Sequence, residues 1–151
     1  MDNQQPSISS FEYGWMCGII DGEGCIGLWS RGGNRNHEFK PGFKLSNTSK
    51  AVIDAFSNLL DRMAVPYHII YYKARNERSK EYWTISIEGF KRLKRFLPVI
   101  KDALVEKKPQ ADLVWEWMLS RDSKCHVLSY NERELEIPKL VAQLNHRGTR
   151  E

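Results

Sequence analysis

Residues Trp15-Met-Cys-Gly-Ile-Ile-Asp-Gly-Glu-Gly-Cys-Ile26 change character halfway through, and the rest of the chain is ordered around that change. Up to Ile20 the stretch is apolar and helix-like. From Asp21 it is a glycine-rich turn holding two carboxylates, Asp21 and Glu23, with no adjacent cation. Just upstream, Ser9-Ser-Phe-Glu12 has the spacing of a capping box, which predicts a helix from about Ser10 to about Asp21. Gly14, Gly18 and Gly22 fall four residues apart, so they share nearly one face of that helix. Each interior Gly destabilises a helix by about 1 kcal/mol relative to Ala. That loss is offset where a second backbone packs in close contact with the bare face.

After Cys25 the period changes to two. Ile26 and Leu28 alternate with Gly27 and Trp29, and Phe43 and Leu45 alternate with Lys44 and Ser46, while Phe39 extends the apolar set behind Lys40. Arg31-Gly-Gly-Asn-Arg-Asn36 supplies turn residues between them, so 25–47 is predicted to be a long β-hairpin. One of its faces is apolar and the other carries Trp29, Arg31, Arg35, Lys40 and Lys44. Thr48 or Ser49 caps a second helix in which Val52, Phe56, Leu59, Leu60 and Met63 keep helical spacing, ended by Val65-Pro66. A second hairpin follows, with strands over 67–75 and 80–87 rich in aromatic and β-branched residues. Tyr71, Lys73 and Arg75 share one parity and are expected on its basic, aromatic face, as are Lys80, Tyr82 and Thr84, opposite Trp83, Ile85 and Ile87.

Phe90, Leu93, Phe96 and Leu97 predict a third helix stopped by Pro98, whose Lys91, Arg92, Lys94 and Arg95 read as a solvated face. Pro109 opens a fourth helix through Gln110-Ala-Asp-Leu-Val-Trp-Glu-Trp-Met-Leu119. Asn131 and Glu134 form a second capping box, opening a fifth helix to Leu144 that kinks or restarts at Pro138. The order α-ββ-α-ββ-α with further helices behind it predicts a four-stranded antiparallel sheet covered by helices on its apolar face. The other sheet face stays open to water or a ligand, and it is basic.

With 151 residues, 41% apolar and 28% charged, the composition is that of an ordinary globular domain. A single domain over 9–151 after a flexible 1–8 is the expectation. No apolar run approaches the ~20 residues of a membrane span, and the opening residues lack the basic and apolar regions of a signal peptide. The protein is expected to be soluble and intracellular. Cys17, Cys25 and Cys125 are odd in number and lack CxxC spacing, so they read as small apolar residues rather than disulfide or zinc partners. The net charge of +4 is unevenly spread. Residues 1–30 hold Asp2, Glu12, Asp21 and Glu23 with no Lys or Arg, whereas 31–95 hold fourteen Lys and Arg against six Asp and Glu. An acidic spot set in a basic middle suits a phosphate-tracking surface with a cation-binding point inside it.

Met16-Cys-Gly-Ile-Ile-Asp-Gly-Glu-Gly24 resembles the LAGLIDADG motif, with Met, Cys, Gly and Glu standing for its first Leu, first Ala, second Ala and second Asp. The element order behind it is similar to the αββαββα LAGLIDADG homing-endonuclease fold, an α+β fold, with extra C-terminal helices here. The motif occurs once, and in single-motif members two glycine-faced helices pack at a two-fold axis. The resemblance therefore implies a homodimer, with Gly14, Gly18 and Asp21 at its interface and Asp21 bonding backbone amides at the helix end.

The resemblance further implies a site-specific double-strand DNA endonuclease that cleaves a long, roughly palindromic target by metal-dependent phosphodiester hydrolysis, typically encoded in an intron. Glu23 and the Gly22 carbonyl would hold Mg²⁺ or another divalent cation. Asn47 falls where members have a water-orienting Gln, with Ala51 where some have an Arg and Lys50 beside it. Lys107, in Lys107-Lys-Pro-Gln-Ala-Asp-Leu-Val114, falls at the catalytic-pocket lysine. The ending Leu144-Asn-His-Arg-Gly-Thr-Arg-Glu151 resembles a DNA-contacting loop, with His146, Arg147, Thr149 and Arg150 on phosphates. Trp29, Arg31, Arg35, Lys40, Lys44, Tyr71, Lys73, Arg75 and Tyr82 are the candidates for reading or gripping DNA from the sheet. The rival class is a catalytically inactive DNA- or intron-RNA-binding protein, a maturase-like splicing cofactor, since a basic sheet face serves RNA as well.

Overall fold

A computed structural model describes residues 7–31, 38–122 and 129–146, with Arg31 described by its backbone alone. Helix α1 (Ser10–Glu23) leads into strands β1 (Gly24–Arg31) and β2 (Glu38–Asn47), then α2 (Lys50–Arg62). Strands β3 (His68–Tyr72) and β4 (Tyr82–Glu88) follow, then α3 (Phe90–Ile100), a short 3₁₀ turn (Lys101–Ala103), α4 (Lys108–Asp122) and α5 (Glu132–Asn145). The four strands form one antiparallel sheet in the order β1-β2-β4-β3.

Alternation puts Ile26, Leu28, Phe43, Leu45, Ile85 and Ile87 on one face, all buried. Phe43 sits at the centre, its ring 5.9 Å from Phe56 of α2 and 5.1 Å from Phe96 of α3. Residues Met16, Cys17 and Ile20 bring α1 onto the same core. Helices α4 and α5 pack against each other and against β1. The fold class read from the sequence is the one observed.

Several boundaries differ from expectation. Helix α1 reaches Glu23, so both acids of the turn belong to its last turn. The second hairpin's strands are shorter than 67–75 and 80–87, and every residue of β3 is exposed at the sheet edge. Neither proline stops its helix. Pro98 lies within α3 on its exposed side, where water can satisfy the Lys94 carbonyl that a backbone donor would have met, while buried Leu97 and Ile100 hold the last turn in place. Pro138 lies buried within α5, and the Glu134 carbonyl it leaves without a backbone donor accepts from Trp117 Nε1 at 3.1 Å. That bond from α4 removes the penalty that makes an interior proline break a helix. The turn over 32–37 and Cys125 lie outside the described residues. Among the described residues, no helix is long and apolar enough to cross a membrane.

Candidate active site and nucleic-acid interface

Helix α1 is fixed at both ends. At its start the Ser9 hydroxyl accepts from the Glu12 amide at 3.1 Å and Glu12 accepts from the Ser9 amide at 2.9 Å, which is the predicted capping box. Arg62 of α2 clamps the same carboxylate, with Nη2 3.0 Å from Glu12 Oε1. The Arg62 guanidinium, aided by the Ser9 amide, holds the Glu12 carboxyl down at about 2. Further along, Tyr13 donates to the Val99 carbonyl at 2.6 Å. On the far side of the helix a Cβ at Gly14, Gly18 or Gly22 would meet nothing within 4 Å. The glycine face is therefore bare among the described residues, and Phe11 beside it is 82% exposed.

At the other end the two acids have different surroundings. Asp21 accepts from the amides of Val105 at 2.9 Å and Lys107 at 3.0 Å, so its carboxylate ties the helix end to the segment entering α4. Glu23 is exposed and takes a hydrogen bond from Asn47 Nδ2. The Ser49 amide donates to Asn47 Oδ1 at 2.7 Å, which fixes the amide so that Nδ2 faces Glu23. Glu23, Gly22 and Asn47 thus meet at the junction of α1, β1 and β2. Lys107 is anchored there through its backbone, half-buried, by Asp21. Lys50 is engaged elsewhere, paired with Asp54 one turn along α2.

The electrostatics of this corner favour a cation. A helix C-terminus carries about half a negative charge, yet the last turn of α1 holds Asp21 and Glu23 and no basic residue. Glu23 and the exposed Gly22 carbonyl are hard oxygen donors of the kind Mg²⁺ prefers. Among the described residues no three His, Cys, Asp or Glu side chains cluster as a metal site.

On the sheet, register decides which candidates share the open face. Trp29 pairs with Lys40, and Lys44 lies on the same side four residues on. Tyr82 joins them, stacked on Tyr72 with ring centroids 4.7 Å apart. Tyr71 does not. It pairs with Trp83, on the side of Ile85 and Ile87, with ring centroids 5.6 Å apart and its hydroxyl donating to Glu81 at 2.6 Å. Tyr72 takes the place expected for Tyr71, because the parity of β3 relative to β4 is set by their pairing and not by composition. Lys73 and Arg75 lie beyond the end of β3, in the turn where the Arg75 amide donates to Ser79 Oγ at 2.7 Å. Arg31 ends β1 opposite Glu38, and His146 is the exposed C-cap of α5. Arg35, Arg147, Thr149 and Arg150 lie outside the described residues.

Two features of this surface escaped the sequence reading. Glu88 sits on the open face between Lys40 and Lys44, a placement its parity with Tyr82 and Thr84 already signalled. Asn145, at the end of α5, donates to the Ile26 carbonyl at 2.8 Å and accepts from Gln110 at 3.3 Å, anchoring the C-terminal helices to β1. No local pattern marks that contact.

A four-stranded antiparallel sheet with one open basic face, preceded by a glycine-faced helix that ends in an acidic turn, places the chain among αββαββα proteins. The chain belongs to the LAGLIDADG family: residues 10–101, more than half of its 151, match the LAGLIDADG-like domain. Solved structures share the fold. The homing endonuclease I-CvuI in complex with its target in the presence of Ca is 14% identical with a TM-score of 0.67, over 93% of this chain and 86% of that one. The archaeal intron-encoded homing endonuclease I-Vdi141I complexed with DNA is 17% identical with a TM-score of 0.68, over 93% and 87%. The meganuclease I-SmaMI bound to DNA is 13% identical with a TM-score of 0.66, and there 97% of this chain matches 47% of the other. No curated protein sequence matches at a significant level.

Proposed function

We propose that the protein is a homing endonuclease, a homodimer that cleaves both strands of a long, roughly palindromic DNA target with the help of Mg²⁺ or another divalent cation. The observation that carries this reading is the end of α1, where a bare glycine face and an exposed Glu23 lie on one helix. Packing two glycine faces together brings two Glu23 carboxylates side by side and supplies the second acidic ligand that one protomer lacks. Two-fold symmetry in the protein calls for two-fold symmetry in the target.

Glu23 and the Gly22 carbonyl would hold the cation, which when bound lowers the pKa of a water and polarises the phosphoryl group. Asn47, oriented by the Ser49 amide, holds water beside Glu23. Lys107 stabilises negative charge that develops at the scissile phosphate. Asp21 keeps Lys107 against the helix end. The open sheet face lies in the major groove, where Trp29, Lys40, Lys44 and Tyr82 meet base edges, while Lys73, Arg75 and the C-terminal Arg147 and Arg150 neutralise phosphates. The relatives described above were solved with DNA, and I-CvuI with Ca, which fits the same substrate and the same hard cation chemistry.

Glu23→Gln tests the mechanism, because it removes the charge at the cation site and leaves the basic face untouched. Target affinity measured in Ca²⁺ should stay close to wild type, and cleavage in Mg²⁺ should fall by about a hundredfold or more. A variant that cuts at the wild-type rate overturns the assignment of Glu23. Wild type that binds DNA or intron RNA in Mg²⁺ and never linearises supercoiled target would instead make the protein a binding module.

A further inference from the structure

An acid sits in the middle of the open sheet face. Glu88, the last residue of β4, pairs with Gly42 and so stands between Lys40 and Lys44 on the same side. Lys40 Nζ donates to Glu88 Oε2 at 3.2 Å, and Lys44 Nζ lies 3.6 Å from Oε1. Lys44 is held from below as well, its ammonium 4.8 Å from the Trp29 ring centroid. That ring in turn lies over two glycines: a Cβ would come within 2.7 Å of it at Gly27 and 2.6 Å at Gly42. Partial burial pushes the Glu88 carboxyl up, but Lys40, Ser86 and Lys44 together outweigh it and keep it below the usual carboxylate range. The acid is therefore charged whenever the protein is near neutral pH.

A surface built only to grip phosphates has no use for this arrangement. The carboxylate repels the DNA backbone and neutralises two lysines that would otherwise release counterions, so it weakens general affinity. Lys44 is fixed by two partners, whereas a phosphate contact needs only a charge within loose reach. The spacing is also informative. The Lys40 ammonium stands 3.2 Å from the carboxylate, near the hydrogen-bond distance of about 2.9 Å that separates guanine O6 from cytosine N4 in a base pair, and Lys44 lies further off at 3.6 Å. A lysine has three donors and a carboxylate about four acceptor sites, so each keeps capacity for a base while paired to the other.

We infer that Lys40, Lys44 and Glu88 act as one unit that reads a G·C pair in the major groove, a lysine donating to guanine O6 and N7 while Glu88 accepts from the cytosine amino group. The inference rests on the DNA-binding reading above. Glu88 is a specificity residue on these terms, and the Trp29 floor over Gly27 and Gly42 sets the height of the pair.

The test compares wild type, Glu88→Gln and Lys44→Gln in selection from a pool of long random duplexes, with binding to non-target duplex followed over a salt series. Glu88→Gln should lose about tenfold of preference at one position in each half-site. The same variant should bind random duplex more tightly, with a salt dependence steeper by about one. Lys44→Gln should relax that same position and bind random duplex more weakly. Unchanged preference at every position in Glu88→Gln overturns the inference, as does relaxation of different positions by the two variants. Both of those results leave DNA binding itself standing. A wild type with no affinity for duplex DNA overturns the DNA reading, and this inference falls with it.

Discussion

Helices α1 and α3 flank the same sheet, yet the sides that they turn away from it differ. Helix α3 buries Leu93, Phe96, Leu97 and Ile100 and turns Lys91, Lys94 and Arg95 to water. Its apolar stripe meets the sheet and its charged side needs nothing further. Helix α1 buries Met16, Cys17 and Ile20 on one side, and on the other leaves Gly14, Gly18 and Gly22 uncovered with Phe11 exposed. A helix that is apolar or bare on both sides belongs between two surfaces, and the protomer provides one. The stabilising burial of α3 is local to the chain, while that of α1 waits for a second copy in the proposed dimer.

The largest effect is expected from Gly18→Leu. A Cβ at Gly18 meets nothing within 4 Å among the described residues, so the fold should survive unchanged. The proposed dimer should dissociate at micromolar concentration and cleavage should fall to background. Sedimentation and circular dichroism on the same sample check both halves, and a variant that stays dimeric and active would erase the distinction between the two helices.

A smaller effect concerns ion pairs, because the one that holds α1, Arg62 with Glu12, is less exposed than the one that holds α3, Lys94 with Asp122. The Glu12 carboxyl sits at about 2 against an ordinary 4.5, held there first by Arg62. The folded value lies below the unfolded one, so the clamp's contribution is fully present above about pH 4.5 and is lost as pH falls through about 2. Glu12→Gln should lower the melting temperature at neutral pH by a few degrees. The gap from wild type should close steadily between those two pH values. A gap that stays constant down to pH 2 would show that the carboxylate's charge contributes nothing.

The smallest effect belongs to the solvated side of α3. Lys94 pairs with Asp122 at 2.9 Å, but both side chains are 47% exposed. Lys94→Ala should change stability by less than about 1 kcal/mol in denaturant titration and leave the proposed dimer and proposed cleavage unaffected.

The sequence reading went furthest where the rule is local. Capping boxes at Ser9 and Asn131, the glycine row and the alternation in β1 and β2 all follow from backbone periodicity, and each is present as expected. It misplaced Tyr71 because parity within β3 is visible in the residues, whereas its phase against β4 depends on the Tyr71 to Trp83 pairing. Sequence alone predicts an end to α3 at Pro98 and a kink or restart of α5 at Pro138, because a proline's cost depends on what else can satisfy the carbonyl one turn earlier. For Pro138 that donor is Trp117, on another helix.

By itself, then, the sequence determined the order of elements, the acidic turn at the end of a bare helix, and the membership in a family that these residues announce. Those properties reside in spacing along the chain, which steric rules of the backbone translate into faces. Only the tertiary structure decided which residues meet. Asp21 reaches amides 84 and 86 residues away, Asn47 of β2 is turned toward Glu23 of α1, and Glu88 falls between Lys40 and Lys44. Such meetings depend on strand register and on where helices cross the sheet, and both are set by packing the whole core at once.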